Sequence, residues 1–214
     1  MSRTSKGSAR ADQRQAVVWR VAAGLIVVSL ALTACGHSSA PTSTHHATGA
    51  SDSVTLAYDP TDGSLFKADR QGLFRRRANI GWENIAVPQA SGLSGVIVNP
   101  DQPATLYVSG PGLGVLRSED GGQHWQAVNT GLPGLDVAAL ALHSFRRETL
   151  YVWLKDDGIY RTEDGGVNWK RMPDQGPPDP DVRGLTHSTL PGSMNTGWLY
   201  AATPTGAYLS MDCF

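Results

Sequence analysis

One passage of this chain occurs twice at a fixed distance, and that repetition restricts the architecture more than any local pattern. Thr105-Leu106-Tyr107-Val108 leads to Gly114-Val115-Leu116-Arg117 and then to Ser118-Glu119-Asp120-Gly121-Gly122-Gln123-His124-Trp125. Thr149-Leu150-Tyr151-Val152 leads in the same way to Gly158-Ile159-Tyr160-Arg161 and Thr162-Glu163-Asp164-Gly165-Gly166-Val167-Asn168-Trp169, each position 44 residues downstream of its partner. Weaker copies flank the pair. Upstream, Ser64-Leu65-Phe66 precedes Gly72-Leu73-Phe74-Arg75 and Trp82. Downstream, Trp198-Leu199-Tyr200-Ala201 precedes Gly206-Ala207-Tyr208-Leu209-Ser210-Met211-Asp212. A period of this size marks an array of supersecondary units that bury their apolar faces against one another.

Within one unit, residues 94–130, four short apolar runs are separated by Gly, Pro and Asp turns: Ser94 to Asn99, Ala104 to Ser109, Gly114 to Ser118, and Trp125 to Asn129. Short runs at roughly ten-residue spacing predict an antiparallel meander. No segment after residue 50 keeps a helical apolar spacing over three turns. The expected fold is all-β, a β-propeller of four-stranded antiparallel blades with about three and a half blades present. The blades fall at about 53–90, 91–134, 135–178 and an incomplete 179–214.

The element Ser118, Asp120, Gly122, Trp125, repeated as Thr162, Asp164, Gly166, Trp169, sits where the third strand turns into the fourth. A short carboxylate there can accept hydrogen bonds from the turn's N–H groups, and a hydroxyl two residues earlier can join it. The glycines permit positive φ. These elements resemble Asp-boxes, the bacterial neuraminidase repeats. With the Leu-Tyr-Val and Gly-Val/Ile-Leu/Tyr-Arg strands before them, they make residues 53–214 similar to the photosystem II stability/assembly-factor family and to sialidase-type and sortilin-type propellers. The resemblance implies the propeller fold and, from the first family, a role in assembly or stability of a membrane complex. The first copy departs from the pattern, with Arg75-Arg76-Arg77-Ala78 where a Ser-x-Asp turn would stand. The last copy carries Cys213 in place of the first turn glycine. Its ending inside a box leads us to expect a shortened form of a longer propeller. The alternatives are a small ring whose last strand comes from before Val54, or a homodimer pooling two half-rings.

The N-terminus is of another kind. Arg3, Lys6, Arg10, Arg14 and Arg20 precede Val21 to Ala34, an apolar stretch too short to span a bilayer, which ends in Leu32-Thr33-Ala34-Cys35. This resembles the lipobox of bacterial lipoproteins. The resemblance implies a signal peptide over 1–34, removed before Cys35, and a diacylglycerol on the Cys35 thiol. Residues 35–52 then form a polar tether, and the expected location is the extracytoplasmic face of the cell membrane. The tether histidines His37, His45 and His46 have no Cys or acid at a ligand spacing, so neither a metal nor a cofactor is expected. The chain has 18 Lys+Arg and 19 Asp+Glu; the leader holds five of the first and one of the second. The mature part is therefore 13 against 18, a charge of −5, which argues against nucleic acid as a partner. With Cys35 lipidated, Cys213 is left as a lone thiol.

Retaining sialidases need a clamp of three arginines, a Tyr–Glu pair and an aspartate, with an early Arg-Ile-Pro. No Arg-Ile-Pro occurs, and Arg117 and Arg161 stand at equivalent repeat positions, as blade elements would. Glu83 and Glu148 are the only glutamates outside the two boxes, and Asp59, Asp136 and Asp181 lie near the ends of candidate first strands. No catalytic residue is assigned. The sharpest charge feature, Arg75-Arg76-Arg77, is the candidate partner-binding patch. The sequence thus predicts a membrane-anchored module that binds a protein without catalysis, the alternative being a carbohydrate-active propeller.

Overall fold

The computed structural model describes residues 54–90, 92–173, 176–188 and 197–210, which form fifteen strands and no helix. Blade 1 contains β1 (Thr55–Tyr58), β2 (Leu65–Asp69), β3 (Gly72–Arg76) and β4 (Trp82–Ile85). Blade 2 contains β5 (Gly95–Val98), β6 (Leu106–Gly110), β7 (Gly114–Ser118) and β8 (Gln126–Ala127). Blade 3 contains β9 (Val137–Leu142), β10 (Leu150–Leu154), β11 (Gly158–Thr162) and β12 (Lys170–Arg171), and blade 4 contains β13 (Gly184–His187), β14 (Leu199–Thr203) and β15 (Gly206–Leu209). Each sheet is an antiparallel meander in chain order, so the four sheets form the blades of a β-propeller. Cys35, the segments 1–34 and 35–52, the tether histidines and Cys213 lie outside the described residues.

Side-chain alternation gives each blade two faces, and the joints between blades are where the core sits. Phe66, Ala68 and Leu73 of blade 1 pack on Val96, Val98, Leu106 and Val108 of blade 2. Ile97, Tyr107 and Val115 on the other face of blade 2 meet Leu140, Leu150, Val152 and Tyr160 of blade 3. Ala141, Tyr151, Trp153 and Ile159 then meet Leu199 and Ala201 of blade 4. At about 1.5–3 kcal/mol for each large apolar side chain fully buried, these joints and not the strands' own propensities stabilise the array.

The first strands pack in succession, β1 on β5, β5 on β9 and β9 on β13; among the described residues no comparable packing joins β13 back to β1. The fourth strand of blade 2 is shorter than the run Trp125 to Asn129 predicts. Val128 still donates to Val115 O at 3.0 Å, but the next N–H of the ladder, that of Val115, goes to the Asn129 side chain at 2.7 Å, and β8 ends there. The last blade's first strand runs one residue beyond the expected Val182 to Thr186 and begins two later, at Gly184.

Candidate functional site

The two repeated turns have the same geometry. Asp120 Oδ1 accepts hydrogen bonds from Ser118 Oγ at 2.8 Å and from the backbone N–H groups of Gln123 and His124 at 2.9 Å each. Ser118 Oγ accepts in turn from Gly122 N at 2.9 Å. In blade 3, Asp164 Oδ1 accepts from Thr162 Oγ1 at 2.6 Å and Asn168 N at 2.9 Å, and Thr162 Oγ1 accepts from Gly166 N at 3.1 Å. The His124 backbone and ring bonds hold the Asp120 carboxyl well below the usual range, and the Thr162 hydroxyl, with Asn168, lowers Asp164. Each turn is pinned to its own blade by a glycine N–H, Gly121 to Ala104 O at 2.9 Å and Gly165 to Glu148 O at 2.8 Å. Both carboxylates are committed to backbone and turn partners.

The arginines divide. Arg75 Nη2 pairs with Asp62 Oδ2 at 2.7 Å, its Nε donates to Ser64 Oγ at 3.1 Å, and its guanidinium lies 5.2 Å from the Phe66 ring centroid. Strand register gives it the same place as Arg117 opposite Tyr107 and Arg161 opposite Tyr151. Arg117 pairs with Glu119 at 2.8 Å and Arg161 with Glu163 at 2.9 Å. Arg77 pairs with Glu83 at 2.9 Å. Arg76 projects from the opposite face of β3, and it is exposed. The three consecutive arginines therefore do not share one face. The aspartates near the first strands are engaged as well: Asp59 Oδ1 accepts from Thr61 N at 2.8 Å, Asp136 Oδ1 from Gly112 N at 2.9 Å, and Asp181 pairs with Arg183 at 2.7 Å.

The first strands of all four blades face one concavity of about 350 Å³. Leu56, Tyr58, Ile97, Val98, Leu140, Leu142, Leu185, Thr186 and His187 line it, and no carboxylate is among its lining residues. A smaller cleft of about 170 Å³ at the edge of blade 4, between Ile159, Pro177, Leu199 and Tyr208, is also free of acidic side chains in its lining.

Sequence reasoning missed a histidine pair at the joint of blades 3 and 4. The rings of His143 and His187 stack at 4.0 Å between centroids, and Tyr151 lies parallel to His187 at 5.8 Å. His143 Nδ1 accepts the backbone N–H groups of Phe145 at 3.0 Å and Arg146 at 3.1 Å, while His187 Nδ1 accepts that of Ser144 at 3.1 Å. These bonds require Nδ1 to be unprotonated in both rings. Burial, then the neighbouring His187, Arg146, Arg147 and Arg161, depress His143 to about 4. His143 occupies the turn position held by Asp59 and Asn99 in blades 1 and 2, where Asn99 Oδ1 accepts from Asp101 N at 3.0 Å. Alignment of the blade repeats at this turn was the signal that could have found it.

No protein-family model matches the chain, and no curated protein matches its sequence. Among solved structures, a chain of the nidogen–laminin complex aligns with a TM-score of 0.53 at 15% identity, over 75% of this chain and 65% of that one. The GH74 enzyme of Niastella koreensis aligns with a TM-score of 0.51 at 16% identity, over 74% of this chain and 30% of its own. YCF48 bound to D1 peptide aligns with a TM-score of 0.48 at 20% identity, over 64% and 43%. At such identities the first two likenesses are of fold. The chain spans less than two thirds of the length of each of these structures.

Proposed function

We propose that this chain is a lipid-anchored, extracytoplasmic Asp-box propeller that binds another protein and has no catalytic site of its own. The observation that carries this reading is the composition of the shared concavity. Its walls are mainly aliphatic, with Thr55, Tyr58, Thr186 and His187 as the polar side chains. Exposed apolar surface of this kind marks a protein-interaction site or a ligand groove. Glycoside hydrolysis instead asks for two carboxyl groups flanking the scissile bond, and the aspartates nearest the first strands are each held in a turn or an ion pair.

The anchor rests on Leu32-Thr33-Ala34-Cys35 at the end of the apolar leader. Two acyl chains and an acylated amine give stable attachment, each buried CH₂ contributing about 0.8 kcal/mol. The full chain should fractionate with membranes, and Cys35→Ala should abolish incorporation of a labelled fatty acid. Crosslinking in those membranes should give a discrete adduct with a protein other than this chain, which Leu142→Asp weakens. Turnover on a panel of fluorogenic glycosides, with no adduct, would replace this reading with the carbohydrate-active one.

A further inference from the structure

The two ends of the array expose faces that the rest of the molecule buries. Strand register makes Leu56, Tyr58, Leu65 and Phe74 of blade 1 equivalent to Val96, Val98, Leu106 and Leu116 of blade 2 and to Leu140, Leu142, Leu150 and Tyr160 of blade 3. In blade 2 these positions are buried against the preceding blade, whereas Leu56 is 58% and Tyr58 60% exposed. Trp82 stands opposite Arg76 on β4, one step beyond the Arg75–Glu83 pair. Trp125 stands likewise one step beyond Arg117–Gln126. Trp125 ties its blade to the preceding one through Ala86 O at 3.0 Å, but Trp82 is exposed. At the other end, the face of blade 4 carrying Thr186, Ala202, Ala207 and Leu209 is also exposed, although the equivalent Ile97, Ser109 and Val115 of blade 2 are buried.

We propose that the exposed face of blade 1 receives blade 4 of a second copy, so that the four described blades of each chain close one ring of eight. This goes beyond the protein-binding role proposed above. The occupant follows from the repeat. The two end faces are the two halves of a joint that the chain already makes three times internally, from β1–β5 through β9–β13. Eight blades lie within the usual range for closed propellers. A two-fold axis along the ring makes both new joints identical and closes the assembly without open ends. The internal joint also sets the contact. Gly95 of β5 leaves only 3.1 Å between the place of its missing Cβ and Leu140 Cβ of the next blade. Gly184 pairs with Ala202 as Gly95 pairs with Ser109, and Leu56 pairs with Lys67 as Leu140 pairs with Val152. Gly184 of one copy should therefore lie against Leu56 of the other. Lys67, the one charge at a position that is valine in blades 2 and 3, is neutralised by Asp69 at 2.8 Å and lies 4.6 Å from the Phe74 ring centroid, and the other charge of the face, Arg76, stands at the end of β3 beside Trp82, where blades 2 and 3 carry Ser118 and Thr162.

The test co-expresses two differently tagged full-length chains, both Cys213→Ser with Cys35 retained, one Leu56→Cys and the other Gly184→Cys. Mild oxidation of the membranes should give a disulfide-linked dimer carrying both tags. In a third chain carrying both cysteines, a link formed only within that chain would mean that it closes its own ring, and would overturn the proposal. Attachment of the Leu56→Cys chain to a different protein, or no link at all, would do the same. In detergent, light scattering should give the protein mass of two chains, falling to one in Leu56→Asp with the β-type circular-dichroism spectrum unchanged. A monomeric unsubstituted chain would also overturn it.

Discussion

The indole N–H of Trp169 donates to the Val128 carbonyl oxygen at 2.7 Å, which ties the turn of blade 3 to the residue that follows the outer strand of blade 2. Trp169 is buried and Trp125, its counterpart on Ala86, is half-buried. Trp169→Phe keeps most of the packing and loses one hydrogen bond, a cost of about 1 kcal/mol. Trp169→Ala removes the ring as well and should cost about 3–5 kcal/mol. Trp125→Ala should cost distinctly less. Urea unfolding of the three variants tests this, and equal losses for the two alanine substitutions would contradict the assignment of Trp169 to the core.

Adjacent glycines in the first turn have different reasons to be glycine. Gly121 has φ +73° and open space around a would-be Cβ, whereas Gly122 has φ +94° and would put its Cβ 2.7 Å from Ile85 Cγ2 of blade 1. Gly121→Ala should cost only the left-handed backbone penalty, about 1 kcal/mol. Gly122→Ala adds overpacking at the joint, about 1–3 kcal/mol more. If both variants unfold at the same urea concentration, the turn is not wedged against blade 1.

Acid should loosen the joint of blades 3 and 4 before it reaches the carboxylates. His143 has an ordinary value of 6.5 in the unfolded chain and is depressed to about 4 in the fold. The unfolded state therefore binds more protons between these values, and stability falls as the pH drops from about 6.5 to about 4, by roughly 3 kcal/mol at most. The carboxylates lowered in the fold, Asp62, Asp69 and Asp164, contribute stability that is present above their ordinary 3.8 and lost below it, at more acid pH. His143→Asn should remove the first phase alone, because Asn99 already serves the equivalent turn in blade 2. Melting temperatures of both proteins between pH 7.5 and 4.5 decide it. Parallel curves would assign the loss to other groups.

The blades were legible because two copies of the turn are nearly identical and most strands are closed by Gly, Asp or Pro, although β3 and β9 are not. The faces of the blades were legible in part. Strand alternation alone separates Arg75 from Arg76, and Gly72-Leu73-Phe74-Arg75 already sets Arg75 in the place of Arg117 and Arg161, but the sequence does not show how β3 aligns on β2. The register Phe66–Arg75 supplies that alignment. The histidine pair was hidden for the opposite reason. His143 and His187 lie on different blades, 44 residues apart, yet they occupy different turn-side roles, and their stacking depends on how blade 4 docks on blade 3. Which residues the end faces present follows only from the register.

The three consecutive arginines yield the last prediction, because their surroundings assign them different work. Arg75, packed over Phe66 and paired with Asp62, should act on stability: Arg75→Ala should cost about 1 kcal/mol through the lost ion pair and cation–π contact. Arg77→Ala loses an exposed pair with Glu83 and should change stability by less than about 0.5 kcal/mol. Arg76 sits opposite Leu65 and Trp82 on the exposed face of blade 1, where an arginine beside aromatic side chains is a common interface anchor. Arg76→Ala should leave the unfolding midpoint unchanged and reduce whatever adduct or dimer that face supports. If Arg76→Ala destabilises the fold while Arg75→Ala does not, the two assignments are reversed and the register on which they rest is wrong.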